Sequence, residues 1–289
     1  MRRRSAALIL CLACVSGPAT SAGLEQVGRV VWDGEVVQGV SGIEVSEDGA
    51  RFEAVSDAGW RFAGQLVRRG ETLEAVTLDR LAPILGNDGW PVSARRVGDW
   101  RDAEGLAVAP DGTSWISFER WSRVQRFDPG DPTGQWIKDH SAFREQSDNR
   151  QLEAVAVDAA GRVFTFPERP MADGFPIFVL EDDGWRIEGH IAERDGFSIV
   201  GADFDDAGTL WLLERKHFLG RLWRNRIRRL DPSDPETIET VWTGARDEFY
   251  NLEGLSVWRA SDGLRILCVG DNNGKRTVPT EIVEFRLVE

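Results

Sequence analysis

The chain has 289 residues and a formal net charge of −13, and because such an acidic surface repels nucleic acid and anionic membranes, we expect neither as a partner. Two of its three cysteines lie within the first 14 residues, which leaves Cys268 alone and excludes a disulfide framework. No apolar run beyond the N-terminus is long enough to span a bilayer, so we expect one domain held by its own core, and a monomer.

The N-terminus has the order of a secretory signal peptide. Arginines at positions 2–4 precede an apolar run over residues 6–15, and small residues follow at 19–22. This order predicts a signal peptide over residues 1–22, cleavage after Ala22 and a mature domain over 23–289 in the periplasm or outside the cell. The segment Leu12-Ala13-Cys14 leaves a lipoprotein anchored at Cys14 as the alternative.

Five stretches of the chain repeat one pattern, in which a strand, a turn glycine and a second strand ending in an acid follow one another. The clearest copy begins at Asp102-Ala103-Glu104-Gly105, turns at Gly112 and ends at Glu119. The five copies begin at Ser41, Glu104, Glu153, Ser198 (or Val200) and Glu253. A repeat of about 50 residues that is rich in short strands is typical of a β-propeller.

A large apolar residue follows each turn glycine by three positions and is suited to packing between neighbouring sheets. These residues are Phe52, Trp115, Phe164, Trp211 and Ile266. Each copy is followed by two more strand patterns, which completes a four-stranded blade, except that the last copy is followed by one. The segment 29–32 can supply the missing strand and close the ring. We therefore expect an all-β propeller of five four-stranded blades closed by an N-terminal strand, with six blades as the alternative because the step from Ser41 to Glu104 is long.

Acidic residues recur at the ends of these paired strands. If each hairpin had a two-residue turn, Glu104 would face Glu119 and Glu153 would face Glu168. Like charges directly opposite each other destabilise a strand pair, so we expect a bound cation to neutralise them. Because the innermost strands line the channel of a propeller, the first members of these pairs should converge on its axis.

Two rings of candidate ligands result. The axial ring comprises Ser41, Glu104, Glu153, Ser198 and Glu253. The second ring comprises Asp57, Glu119, Glu168, Glu214 and Asp271. Oxygen ligands from several blades suit a hard cation such as Ca²⁺. In the alternative, the acids cap turns or pair with the arginines that follow them, Arg120, Arg169 and Arg215, which could otherwise hold phosphate.

Other catalytic patterns are absent from the sequence. It contains no G-x-S-x-G nucleophile elbow and no P-loop, and its three histidines lack metal-ligand spacing. A conventional serine or zinc hydrolase is therefore disfavoured. Four tryptophans near loop ends could frame a ligand cleft, namely Trp60, Trp90, Trp100 and Trp121.

These motifs together resemble the bacterial phytase-like family described as having esterase-like activity of phytase. The resemblance rests on Ser41-Gly42-Ile43 with Ser56-Asp57-Ala58-Gly59, Asp102-Ala103-Glu104-Gly105 with Phe118-Glu119-Arg120, Leu152-Glu153-Ala154 with Pro167-Glu168-Arg169, and Asn251-Leu252-Glu253-Gly254 with Gly270-Asp271-Asn272-Asn273. The resemblance implies a secreted β-propeller with a Ca²⁺-dependent phosphoesterase role. The Ser-Glu-Glu-Ser-Glu order of the axial ring is also similar to the calcium ligands of five-bladed calcium-activated nucleotidases. The multi-calcium phosphate cleft of true β-propeller phytases is not recognisable motif by motif.

Two functions are consistent with these features. In the first, the protein hydrolyses a small phosphorylated molecule, with Glu104, Glu153 and Glu253 holding Ca²⁺ while Glu119 and Glu168 orient water or act as the base. In the second, the propeller is not an enzyme but binds a ligand or a protein partner, and the axial metal is structural.

Overall fold

The computed structural model describes residues 22–34, 37–94, 100–144, 152–218, 222–275 and 277–288. The expected signal peptide, apart from its last residue, and Cys14 lie outside these ranges and stay predictions. Within them, twenty β-strands form five antiparallel sheets of four strands each. Helix is limited in the same ranges to three short 3-10 turns, Val92–Ala94, Ser141–Arg144 and Pro235–Thr237. None of these described helices is long or apolar enough to cross a membrane.

The strands follow the chain blade by blade, after the N-terminal strand β1 (Gly23–Trp32). Blade 1 contains β2 (Val40–Val45), β3 (Arg51–Ser56), β4 (Trp60–Arg69) and β5 (Thr72–Pro83). Blade 2 contains β6 (Ala103–Val108), β7 (Ser114–Phe118), β8 (Arg123–Phe127) and β9 (Gln135–Trp136). Blade 3 contains β10 (Leu152–Val157), β11 (Val163–Pro167), β12 (Phe175–Glu181) and β13 (Gly184–Ile191). Blade 4 contains β14 (Ser198–Phe204), β15 (Leu210–Phe218), β16 (Leu222–Leu230) and β17 (Glu239–Thr243). Blade 5 contains β18 (Leu252–Ala260), β19 (Gly263–Gly270) and β20 (Thr280–Val288).

The N-terminal strand closes the ring. Strand β1 pairs antiparallel with β20, from Gly23 opposite Val288 to Trp32 opposite Thr280, and so becomes the outer strand of blade 5. The inner strands contact their neighbours around the axis, and β18 of blade 5 contacts β2 of blade 1. Five blades and closure by the N-terminal strand are therefore confirmed, and the six-bladed alternative is wrong.

The core lies between the blades rather than within one central layer. Each of five clusters of buried apolar side chains joins two neighbouring blades. The large residues expected between the sheets are all buried, namely Phe52, Trp115, Phe164, Trp211 and Ile266. Packing of this kind fixes the angle between blades and therefore the diameter of the channel that they surround.

Every innermost hairpin carries a β-bulge at the same end of the channel, which we call the mouth. The bulged positions are Ser41, Glu104 with Gly105, Glu153, Val200 and Glu253. The glycine beside the bulge permits a close approach of the next blade, since a Cβ at Gly105 would lie 2.7 Å from the nitrogen of Val155. A bulge re-aims side chains, and the bulged residues of blades 2, 3 and 5, namely Glu104, Glu153 and Glu253, line the mouth.

Candidate functional site

The mouth of the channel opens into a cavity of about 550 Å³, a size that suits a small organic ligand. Carboxylates from four blades line it: Asp57 from blade 1, Asp102, Glu104 and Glu119 from blade 2, Glu153 and Glu168 from blade 3, and Glu253 and Asp271 from blade 5. The arginines that line it are Arg120, Arg169 and Arg215. Most of the residues singled out in the sequence therefore share this cavity, although their positions within it differ from the expected rings.

Three carboxylates of blade 2 form the tightest acidic group. One oxygen each from Asp102, Glu104 and Glu119 lies within 4.8 Å of the other two. Burial and the neighbouring carboxylates raise the pKa of Asp102 to about 6 and that of Glu119 to about 8. The same causes raise the pKa of Glu104 well above its usual value. One buried and two half-buried carboxylates that repel one another are a donor set that can hold a metal ion.

Asp102 was not among the predicted ligands, and the strand register explains why it joins the group. The expected pairing of Glu104 with Glu119 is wrong, because the hairpin turn is longer than two residues and the bulge shifts the register further. The amide nitrogen of Glu119 donates instead to the carbonyl oxygen of Asp102, at 3.0 Å. In blade 3, Leu152 pairs with Pro167 and Glu153 occupies the bulge, so the expected pairing of Glu153 with Glu168 is wrong for the same reason.

Arg215 occupies the other half of the mouth. Its guanidinium lies 3.3 Å from the carboxylate of Glu153 and 3.4 Å from that of Glu168, and it also pairs with Glu253. Burial alone would lower the pKa of Arg215, but the surrounding carboxylates, those of Glu153 and Glu168 foremost, outweigh burial and raise it. The ring of Trp223 lies against the guanidinium, 5.4 Å from its carbon. Two of the predicted calcium ligands, Glu153 and Glu253, are therefore already paired with a cation of the protein.

The spacing after the turn glycine explains why Arg215, and not Glu214, faces the channel. Glu119 and Glu168 each stand seven residues after their turn glycine, and in blade 4 the seventh residue after Gly208 is Arg215. Because side chains alternate along a strand, Glu214 points to the opposite face. It is fully buried between Arg226, at 2.6 Å, and Arg228. The placement of Glu214 in the second acidic ring is therefore wrong.

The two serines of the predicted axial ring also lie elsewhere than the sequence pattern predicts. The bulge of blade 4 falls at Val200, which offers no ligand atom, while Ser198 lies before it and lines the cavity. The hydroxyl of Ser41 is buried and lies 2.9 Å from the carbonyl oxygen of Ala103, so it joins blade 1 to blade 2. Among the described residues, Glu104 is the one member of that ring that belongs to the blade 2 carboxylate group.

The remaining predicted residues lie around the cavity. Arg120 lies 3.3 Å from Asp102, and Arg169, which is largely exposed, lies 3.8 Å from Glu168. Burial raises the pKa of Asp57. Burial and the charge of Asp57 raise the pKa of Asp271 to about 7. Sequence reasoning missed three further lining residues, Gly196, His217 and Trp223, which follow no repeated motif.

Solved structures of other proteins are similar to this chain at low sequence identity. Superposition on the PQQ-bound aldose sugar dehydrogenase from Streptomyces coelicolor gives a TM-score of 0.48 at 12% identity, over 94% of this chain and 100% of that one. The virginiamycin B lyase from Staphylococcus aureus gives 0.46 at 12% identity, over 93% and 100%. Similarity at this level carries no argument about function, and no curated protein matches the chain.

The chain matches one protein family over most of its length. The match covers residues 35–274, which include all five inner hairpins and the whole of the mouth. The chain therefore belongs to the phytase-like family, described as having esterase-like activity of phytase.

Proposed function

We propose that this protein is a Ca²⁺-dependent phosphoesterase that acts on a small phosphorylated molecule in the periplasm or outside the cell. The observation that carries the proposal is the blade 2 group of Asp102, Glu104 and Glu119, whose oxygens lie within 4.8 Å of one another inside a cavity of about 550 Å³. The match to the phytase-like family supports the same class of reaction.

The donor set fits the ion. Ca²⁺ prefers six to eight oxygen ligands and tolerates irregular geometry. Asp102, Glu104 and Glu119 supply carboxylate oxygens from one blade, and the open cavity leaves room for water or substrate oxygens. A bound Ca²⁺ would offset the charge of a phosphate ester and lower the pKa of a water molecule beside it.

The chain's own residues supply the other functions. Glu168 lines the same cavity but lies outside the blade 2 group, so we assign it the acceptance of a proton from the attacking water. Arg169 extends from the rim with 45% of its side chain exposed and can donate to phosphate oxygens. Arg120 and Arg215, each already beside a carboxylate, add positive charge on either side of the cavity.

The second candidate is a propeller without catalytic activity, and Arg215 favours it. Its guanidinium joins Glu153 and Glu168 of blade 3 to Glu253 of blade 5, which stabilises the centre of the ring without a metal. In that case the mouth would bind a ligand or partner, and a cation at blade 2 would be structural.

An assay with 4-nitrophenyl phosphate separates these two functions. Purified protein from residue 23 onward should hydrolyse the ester with Ca²⁺ present and lose activity in EDTA. Glu168→Gln should lower kcat by about 10²-fold, as expected for loss of a general base, while calcium binding is kept. Asp206→Asn serves as the control because Asp206 is exposed and pairs with Arg259 away from the mouth. Activity that is absent in calcium, or equal in calcium and EDTA, would favour the second candidate.

A further inference from the structure

Two tryptophans stack on each other where their loops meet blade 2. The rings of Trp100 and Trp121 lie 5.4 Å apart with an interplanar angle of 19°, and Trp136 meets Trp100 edge-on. Trp100 stands two residues before Asp102, and Trp121 stands two residues after Glu119. The stacked pair is therefore joined on both sides, by very short segments of chain, to carboxylates that line the cavity.

The conformation of Trp121 is costly and is not explained by core packing. Its φ angle is 52°, in the left-handed region that a bulky residue rarely adopts. The residue is 56% exposed, so the strain is not offset by full burial. Backbone strain of this kind clusters at active sites and ligand clamps.

A buried arginine holds both loops in place. Arg123 is fully buried and donates to the carbonyl oxygen of Trp100 at 2.5 Å and to that of Trp121 at 3.3 Å. Its guanidinium lies 3.7 Å from the ring centre of Phe118 and 5.0 Å from that of Trp100. The two indoles are thus fixed before a ligand arrives, which reduces the entropy lost on binding.

The surroundings of the exposed ring select the kind of ligand. Trp100 covers one face of Trp121, and the exposed remainder is a flat apolar surface two residues along the chain from Glu119, which lines the cavity. A sugar ring presents an apolar C–H face together with hydroxyl groups that donate to carboxylates. The guanidinium of Arg123 already lies 5.0 Å from the centre of the Trp100 ring, which disfavours a second, organic cation on that ring.

From this geometry we infer that the Trp100–Trp121 pair is a carbohydrate subsite, which binds the pyranose ring of a sugar phosphate whose phosphate enters the mouth. This inference depends on the proposed function in one respect only, which is that the phosphate group of the ligand enters the mouth. Recognition of the ring is a separate property, and uncharged sugars measure it without any catalysis.

The test uses the mature protein and uncharged methyl α-D-glucopyranoside and methyl α-D-galactopyranoside, with binding followed by tryptophan fluorescence and by saturation-transfer NMR. The wild type should bind at least one of them. Trp121→Gly should weaken that binding roughly tenfold, the change expected for about 1.4 kcal/mol of lost stacking. Its melting temperature should stay equal or rise, because glycine accepts a positive φ without strain.

Trp90→Ala is the matched control, since Trp90, although it was a candidate for the ligand cleft, does not line the cavity, is 69% exposed and belongs to no ring pair found in the described part of the chain. It should bind sugar like the wild type. Absence of pyranoside binding, binding of phenol in its place, or equal binding by wild type and Trp121→Gly would each overturn the inference. A melting temperature of Trp121→Gly far below that of the wild type would show that the tryptophan stack stabilises the fold, and this result would also overturn the inference. Sugar binding without phosphatase activity would contradict the proposed function but would still support the carbohydrate subsite.

Discussion

The guanidinium of Arg215 lies 3.4 Å from the carboxylate of Glu168, and both residues stand seven positions after the turn glycine of their own blade. Equivalent positions in neighbouring blades thus carry opposite charges and meet. This divides the mouth into two parts. Around Arg215 the carboxylates are paired with a cation, whereas in blade 2 Asp102, Glu104 and Glu119 crowd together. The cation site is therefore expected on blade 2 and not on the axis of the ring.

The first prediction concerns Arg215. In Arg215→Gln, the buried carboxylates of Glu153 and Glu253 lose their cationic partner, so the free energy of unfolding should fall by about 3–5 kcal/mol in EDTA. Calcium should restore part of the loss, because the vacated carboxylates become cation ligands. Urea denaturation in calcium and in EDTA measures both effects. Arg169→Gln is the control and should change stability by about 0.5 kcal/mol or less, since Arg169 is largely exposed. Equal stability of Arg215→Gln and wild type in EDTA would contradict the pairing.

The second prediction concerns pH. Without metal, the pKa of Glu119 is raised from 4.5 to about 8 in the folded protein. The folded state therefore keeps a proton that the unfolded state releases, and the resulting stability is complete below pH 4.5 and is lost as the pH rises toward 8. The melting temperature in EDTA should accordingly fall between pH 5 and 9, and Glu119→Gln should reduce that fall.

Calcium should have the opposite pH dependence, because the ligands must be deprotonated to bind it. The difference between the melting temperatures in calcium and in EDTA should widen from pH 5 to pH 8. A difference that stays constant over this range would show that calcium binds without displacing protons from the blade 2 carboxylates.

The third prediction concerns closure of the ring. Deletion of residues 23–34 removes strand β1, exposes the edge of β20 and takes Trp32 away from the rings of Phe52 and Phe62. The milder change Trp32→Ala should cost about 3–5 kcal/mol, as for other buried aromatics, and the deletion should cost at least as much. Thermal unfolding measures both. A truncated protein that melts at the wild-type temperature would contradict closure by this strand.

The sequence was sufficient for the architecture because each blade repeats the same local signals. Turn glycines, strand alternation and a large residue such as Trp211 or Phe164 recur at fixed spacing, and the lone strand at the C-terminus required a partner from the N-terminus. Because these signals are local, they can be recognised in the sequence without knowledge of the three-dimensional contacts.

The site could be predicted only in part, because its details depend on register. In blade 2 the longer turn and the bulge each shift the pairing by one residue, which places Asp102 and not Glu104 opposite Glu119. The spacing of six from Gly208 to Glu214, where blades 2 and 3 have seven, was the signal that Arg215 faces the mouth. The stack of Trp100 on Trp121 depends on contacts between separate loops, which no spacing in the sequence encodes.

Calorimetric titration of the metal-free mature protein with Ca²⁺ at pH 8 tests the central claim, that Asp102, Glu104 and Glu119 hold a calcium ion. The wild type should show one saturable site, Glu104→Gln should bind at least tenfold more weakly because a buried charged ligand is lost, and Asp206→Asn should match the wild type. Calcium binding of equal strength in Glu104→Gln and wild type, or no binding by the wild type, would contradict the account.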